Sequence, residues 1–176
     1  KFVREHAGSF DADRGVANMP VVSMQMPPAP DERRFYSQML AAVGAPTAPD
    51  ERLHRLEGRT LRLYKQLAPQ VIVIDEVHHL LSGSSREQRR SLNLLKFVAN
   101  ELRVGVVAVG TRDALLAVQT DQQVASRFEP CEIPRWTATE EFRGFLAAFA
   151  KGLPLHNPST ITDRESVNLL LTRSDG

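Results

Sequence analysis

The stretch "QVIVIDEVHHLL", residues 70–81, decides the fold of this chain. Its run of apolar residues can cross the core of a parallel sheet, where strands are buried on both faces. The run delivers Asp75 and Glu76 to the carboxyl end of the strand, which is where open α/β sheets bind ligands. His78 and His79 follow after Val77. The residues alone leave three interpretations open: a metal site, a nucleotide-hydrolysing site, or the polar end of a buried strand.

Apolar strands alternate with amphipathic helices along the chain, and this order predicts an α/β fold with a parallel sheet flanked by helices. Further strands are predicted at 19–26 ("MPVVSMQM"), 104–111 ("VGVVAVGT") and 131–134 ("CEIP"). Helical spacing of apolar residues predicts helices at 31–44, 53–67, 84–102 and 112–119. Ser84 and Glu87 have the spacing of a capping box at the start of the third. Two more helices are expected to begin at capping boxes, Thr137 with Glu140 and Thr162 with Glu165.

The composition is that of a globular domain and gives little indication of a membrane. Of the 176 residues, 42% are hydrophobic and 24% are charged. No apolar run approaches the roughly 18 residues that a membrane-spanning helix needs. The lone cysteine, Cys131, excludes an internal disulfide and suits a reducing cytoplasm. Eighteen of the 22 basic residues are arginine, a bias that mildly favours contacts with phosphate groups.

The sequence makes the paired histidines weak candidates for a metal site. Because His78 and His79 are adjacent, their side chains are expected to point in different directions, unlike the two ligands of an H-E-x-x-H zinc site. The letters "DEVH" also match the DExH box of helicases. A chain of 176 residues shows no second helicase domain, which argues against that interpretation.

Four arginines on the helix predicted at 53–67 and its start form a line on one face. Their separations of three, four and three residues place them about 15 Å from end to end. The members of this arginine line are Arg52, Arg55, Arg59 and Arg62. Such a line can follow a nucleic-acid backbone without reading bases, and Arg33 and Arg34 add to the same region. The alternative is a solvated face balanced by Glu51 and Glu57.

Four motifs in order resemble a known group of nucleotide hydrolases. "VIVIDEVHHL" resembles a Walker B motif, and the chain as a whole resembles P-loop ATPases of the AAA+ class. The order and spacing of four segments are similar to the TniB and TnsC group of transposition ATPases, relatives of MuB, over roughly residues 1–175. The segments are "VIVIDEVHHL", "VGVVAVGT", "QVASRFEP" and "RWTATEEF".

The resemblance implies ATP and Mg²⁺ as cofactors and a role for each site residue. Asp75 would hold Mg²⁺, while Glu76 would orient the attacking water. Thr111 would sense the terminal phosphate, although a plain helix N-cap is an alternative for this residue. Arg127 would complete the site of a neighbouring subunit. Residues 1–135 would form the AAA+ core and residues 136–176 the beginning of a helical lid.

The function implied is an ATP-dependent, DNA-binding transposition regulator. It would assemble as a ring or filament on duplex DNA and recruit a transposase, with a target-selection adaptor as a second candidate partner. Two alternatives stay open: a non-catalytic binding fragment, and an AAA+ loader or helicase-type ATPase of replication.

One departure from the family pattern affects the nucleotide site. The chain contains no G-x-x-x-x-G-K-[ST] phosphate loop. We expect this loop and the first strand to lie upstream of Lys1, with that strand between those of Thr111 and "CEIP". The 176 residues by themselves are therefore expected to bind ATP poorly.

Overall fold

The computed structural model describes residues 2–12, 16–29, 31–48, 50–119, 125–154, 157 and 159–175. The chain divides into two compact units, Lys1–Glu129 and Pro130–Gly176. In the first unit, the strands are β1 (Ser9–Asp11), β2 (Val16–Asn18), β3 (Val21–Gln25), β4 (Val71–Asp75) and β5 (Gly105–Ala108). Its helices are α1 (Phe2–Glu5), α2 (Glu32–Ala42), α3 (Leu53–Leu67), α4 (Ser85–Leu102) and α5 (Arg112–Gln119), with a 3₁₀ helix at Val77–Ser82.

The central feature of this unit is a parallel sheet of order β3-β4-β5. Val22 pairs with Ile72, and Ile72 pairs with Val106, so the three strands run in register and end at one edge. Helices connect the strands, as parallel pairs require. The predicted α/β class is confirmed, as are the strands predicted at 19–26, at "VIVID" (71–75) and at 104–111. The short antiparallel ribbon of β1 and β2 is not predicted from the sequence.

Local signals set the helix ends in this unit. Asp31 caps α2 by accepting a hydrogen bond from Arg34 N at 2.7 Å. Ser84 and Glu87 form the predicted capping box at the start of α4. Helix α3 ends at Ala68, which takes the left-handed conformation with φ 47°. These caps satisfy backbone groups that the helix ends would otherwise leave unpaired.

Two tyrosines pack helix α2 and helix α3 into the core. Tyr36 and Tyr64 are almost fully buried, together with Met39 and Leu40. The Tyr64 hydroxyl donates a hydrogen bond to the Met39 carbonyl at 2.7 Å. Burial raises the pKa of both tyrosine hydroxyls, with the charges of Glu57 and Glu32 adding to the effect on Tyr36.

Strand β5 lies at an edge of the sheet among the described residues. Val107 and Val109 are 47% and 43% exposed, although both belong to the apolar run predicted to be buried. The exposed edge is the side on which the resemblance predicts a further strand. An open edge with apolar side chains is a surface on which backbone pairing can continue.

The second unit contains two helices, α6 (Glu140–Lys151) and α7 (Arg164–Ser174). Phe142, Leu146 and Val167 form its small buried cluster. Trp136 stacks on Phe145, with ring centroids 5.4 Å apart. None of the described helices in either unit is long and apolar enough to cross a bilayer.

Three sequence predictions are wrong in detail. Residues 131–134 form no strand, because a strand needs a partner and no described strand pairs with this segment. Helix α6 is capped by Thr139 rather than Thr137, through a bond from Phe142 N to its hydroxyl at 3.3 Å. Helix α7 begins after Asp163 rather than after Thr162, and Asp163 makes no side-chain cap bond.

Candidate functional site

The carboxyl end of β4 presents two acids in different backbone conformations. Asp75 is the last residue of the strand, and its Oδ1 accepts a hydrogen bond from Glu76 N at 2.8 Å. Glu76 has φ 57° and ψ 37°, the left-handed region that a residue with a Cβ rarely adopts. Such conformations cost about 1–3 kcal/mol and persist where surrounding structure imposes them, often at functional sites. Strand alternation therefore stops at Asp75 and does not direct the Glu76 side chain.

The end of β5 lies against the same turn. Val109 N donates to Ile74 O at 2.8 Å, and Val77 N donates to Val109 O at 2.9 Å. A Cβ on Gly110 would lie 3.3 Å from His78 N, so glycine permits this close approach. Thr111 follows immediately and precedes α5.

Thr111 is exposed, and its carbonyl accepts a hydrogen bond from Ala114 N at 3.0 Å in the first turn of α5. The structure thus brings three sequence-predicted residues, Asp75, Glu76 and Thr111, to one edge of the sheet. This edge offers carboxylate oxygens, which Mg²⁺ prefers as ligands, and a hydroxyl at a helix start. Its residues fit a nucleotide-bound Mg²⁺ in donor type.

The two histidines lie closer together than expected. The rings of His78 and His79 meet edge to face with centroids 4.9 Å apart. One potential ligand atom from each of Glu76, His78 and His79 lies within 4.8 Å of the others. The expectation that the histidines diverge was wrong, because the segment is a 3₁₀ helix entered from a left-handed residue. Neither strand alternation nor α-helical periodicity applies there.

Arg127 is far from these acids within its own chain. Its Nη1 donates a hydrogen bond to Asn100 Oδ1 at 2.7 Å. It lines a cavity of about 550 Å³ with Val104 and Gly105, at the amino end of β5. The site acids lie at the opposite end of this sheet, about one strand length away.

The arginine line begins at Arg52, the N-cap of α3, and continues along the helix, but its members differ in solvent exposure. Arg52, Arg55 and Arg62 are exposed. The Arg59 side chain is only 33% exposed, because it forms a bidentate pair with Glu51 at 3.1 and 2.7 Å. Its Nη1 also donates to the Pro46 carbonyl at 2.8 Å. The line is therefore not uniformly exposed.

Glu51 accepts hydrogen bonds from an arginine of α2 and from an arginine of α3. Arg33 Nη1 donates a hydrogen bond to the Glu51 backbone carbonyl. The hydrogen bond from Arg59, followed by the charges of Arg59, Arg33 and Arg55, lowers the pKa of the Glu51 carboxyl. Arg34 is exposed beside them. The sequence indicated Glu51 only as a balancing charge, since its contact with Arg59 depends on how the loop before α3 folds.

Comparison with known proteins supplies the family. None of the curated proteins matches the chain. The family model for the bacterial TniB protein matches residues 1–138. The match covers well over half of the 176 residues, and the parallel sheet suits a P-loop NTPase-like fold. The chain therefore belongs to the TniB family, a P-loop NTPase-like family of transposition proteins.

Proposed function

We propose that this protein is an ATP-dependent, DNA-binding regulator of transposition that works as an oligomer in the cytoplasm. ATP and Mg²⁺ promote assembly on duplex DNA. The assembly recruits a transposase, and hydrolysis dismantles it. Residues 1–135 act as the AAA+ core, and residues 136–176 begin a helical lid.

The observation that carries this proposal is the juxtaposition of two strand ends. Hydrogen bonds between the 74–77 and 109 segments hold Asp75, Glu76 and Thr111 at the carboxyl edge of a parallel sheet. In a P-loop NTPase-like family, that edge is where a nucleotide binds. Phosphoryl transfer needs a metal ligand and a group that orients the nucleophile.

Each acid has a distinct chemical part. Asp75 is held by the backbone bond to Oδ1, and its carboxylate would hold Mg²⁺, which neutralises phosphate charge when bound. Glu76 orients water and accepts its proton. Thr111 provides a hydroxyl donor for the terminal phosphate.

The surface for DNA consists of the exposed arginines of α2 and α3. The members are Arg33, Arg34, Arg52, Arg55, Arg59 and Arg62. The ion pair with Glu51 leaves Arg59 less exposed than the others. They would contact phosphates and not bases, so binding is independent of sequence. The salt dependence of binding should therefore report how many of them make contact.

The first test is Glu76→Gln in the protein expressed from its complete coding sequence. Loss of a general base typically costs about two to four orders of magnitude in turnover, while ATP binding remains. Measured turnover equal to that of the unaltered protein would remove Glu76 from the mechanism. Turnover absent from the unaltered protein as well would favour the non-catalytic binding alternative.

The second test concerns action in trans. Arg127→Ala should abolish DNA-stimulated hydrolysis and leave folding intact, because Arg127 is exposed and bonded only to Asn100 in the described contacts. Mixing Arg127→Ala with Glu76→Gln subunits should restore activity at interfaces that pair an intact glutamate with an intact arginine. No recovery in the mixture would contradict the assembly proposed here.

A replication loader is the second candidate from the same fold class. It predicts stimulation by a replicative helicase rather than by a transposase. A pull-down with each purified partner, in the presence of ATP and DNA, separates the two functions.

A further inference from the structure

We propose that, in the absence of nucleotide, Glu76, His78 and His79 bind Zn²⁺. This site shares Glu76 with the proposed nucleotide site, so zinc binding and the role of Glu76 in hydrolysis exclude each other. These three residues are called the His-Glu cluster below. Two imidazole nitrogens and one carboxylate oxygen are ligands that suit Zn²⁺, whereas Mg²⁺ prefers oxygen alone. Binding needs no nucleotide, so the inference goes beyond the proposed function.

The spacing in the His-Glu cluster matches ligands around one metal. His78 Nδ1 lies 3.2 Å from Glu76 Oε2. Two ligands about 2.0–2.1 Å from a tetrahedral zinc ion are roughly 3.3 Å apart. One ligand atom per residue lies within 4.8 Å of the others, so the widest gap needs to close by only about 1.5 Å.

An unsatisfied nitrogen points to a ligand at the same place. His78 Nδ1 is out of contact with solvent and makes no hydrogen bond among the described residues. The nearby Glu76 oxygen is close enough for an ion pair but lacks hydrogen-bond geometry. Burying a polar nitrogen without a partner costs free energy, and a metal ion would remove this cost.

His79 makes the outer hydrogen bond that metal-binding histidines usually make. Its Nδ1 lies 3.0 Å from the Met26 carbonyl. A carbonyl only accepts, so Nδ1 carries the proton and donates it, which leaves Nε2 unprotonated for a metal. Met26 is itself fixed, because its N–H donates to the Asp75 carbonyl at 2.8 Å. This outer contact holds the ring in place before any metal binds.

Cobalt substitution tests the site directly. Untagged protein carrying Cys131→Ser, which removes the exposed thiol, is titrated with Co²⁺. We expect one Co²⁺ per chain with the visible absorption of a four-coordinate ion, displaced by Zn²⁺ and not by Mg²⁺. His78→Ala and His79→Ala should each lower Zn²⁺ affinity at least about 100-fold, since loss of a mere outer contact costs 10- to 100-fold.

The matched control is His54→Ala, which removes an exposed histidine on α3. Its affinity for Zn²⁺ should equal that of the Cys131→Ser protein. Thermal unfolding checks that each variant folds, and His79→Gln replaces any alanine variant that does not. Unchanged affinity in both cluster variants, or an equal loss in the control, would overturn the assignment. Because no nucleotide is present, the result is independent of whether the protein hydrolyses ATP.

Discussion

Removal of the Glu51 carboxylate should strengthen DNA binding, because it frees the Arg59 guanidinium from the ion pair that occupies it in the native structure. Glu51 binds Arg59 through both carboxylate oxygens, and the Glu51 backbone carbonyl separately binds Arg33. Glu51→Ala breaks the first contact and keeps the carbonyl of the second. Arg59 then joins the three exposed arginines of the line.

The size of the effect follows from the count of contacts. Each neutralised phosphate contributes about 0.9 to the slope of log affinity against log salt. The three exposed arginines of the line are therefore expected to contribute about −2.7 to this slope. A fourth contact would bring their contribution to about −3.6. Over the fourfold change from 50 to 200 mM salt, the extra contact adds about 3.5-fold to the loss of affinity.

The assay is fluorescence anisotropy of a labelled duplex of arbitrary sequence, repeated across that salt range. Glu57→Ala is the matched control, because it removes one negative charge from α3 and leaves the described contacts of Arg59 with Glu51 in place. In the unaltered protein Arg59→Ala should change the slope less than Arg55→Ala does. Equal slopes for Glu51→Ala and Glu57→Ala, with equal effects of the two arginine substitutions, would refute the reasoning.

Three further outcomes are expected. Gly58→Ala should stabilise the protein by about 1 kcal/mol in urea unfolding, because a Cβ in the middle of α3 meets nothing within 4 Å; a loss of stability would contradict this. Because the pKa values of Tyr36 and Tyr64 are raised in the folded state, the free energy of unfolding should be unaffected by these groups below pH 10 and fall above it. The two tyrosines together lower it by up to about 2.7 kcal/mol per pH unit, and Tyr64→Phe should halve that slope. Gly110→Ala should cost about 1–3 kcal/mol, since its Cβ would lie 3.1 Å from Ala114 Cβ, and an unchanged urea midpoint would show that the turn adjusts freely.

Apolar patterning by itself determined the class of this fold. Runs such as Val71–Asp75 can be buried on both faces only in a sheet covered by helices, so local composition was enough to predict parallel strands. Capping residues such as Ser84 act on neighbours three positions away, and this cap was predicted from the sequence. The strand predicted at 131–134 was wrong, because strand formation depends on a partner that the local sequence does not specify.

The candidate site was predictable only in part. The sequence determined that Asp75 and Glu76 follow a buried strand, and the family resemblance led us to expect Thr111 near them. Only the tertiary structure decided that His78 and His79 converge, because their directions depend on the left-handed conformation of Glu76 and the 3₁₀ helix that follows. Likewise, four arginines at helical spacing look equivalent in sequence. Glu51, a loop residue outside that periodicity, pairs with Arg59 and leaves the other three exposed. The sequence does not show this contact, because contacts between separate elements are made only when the chain folds.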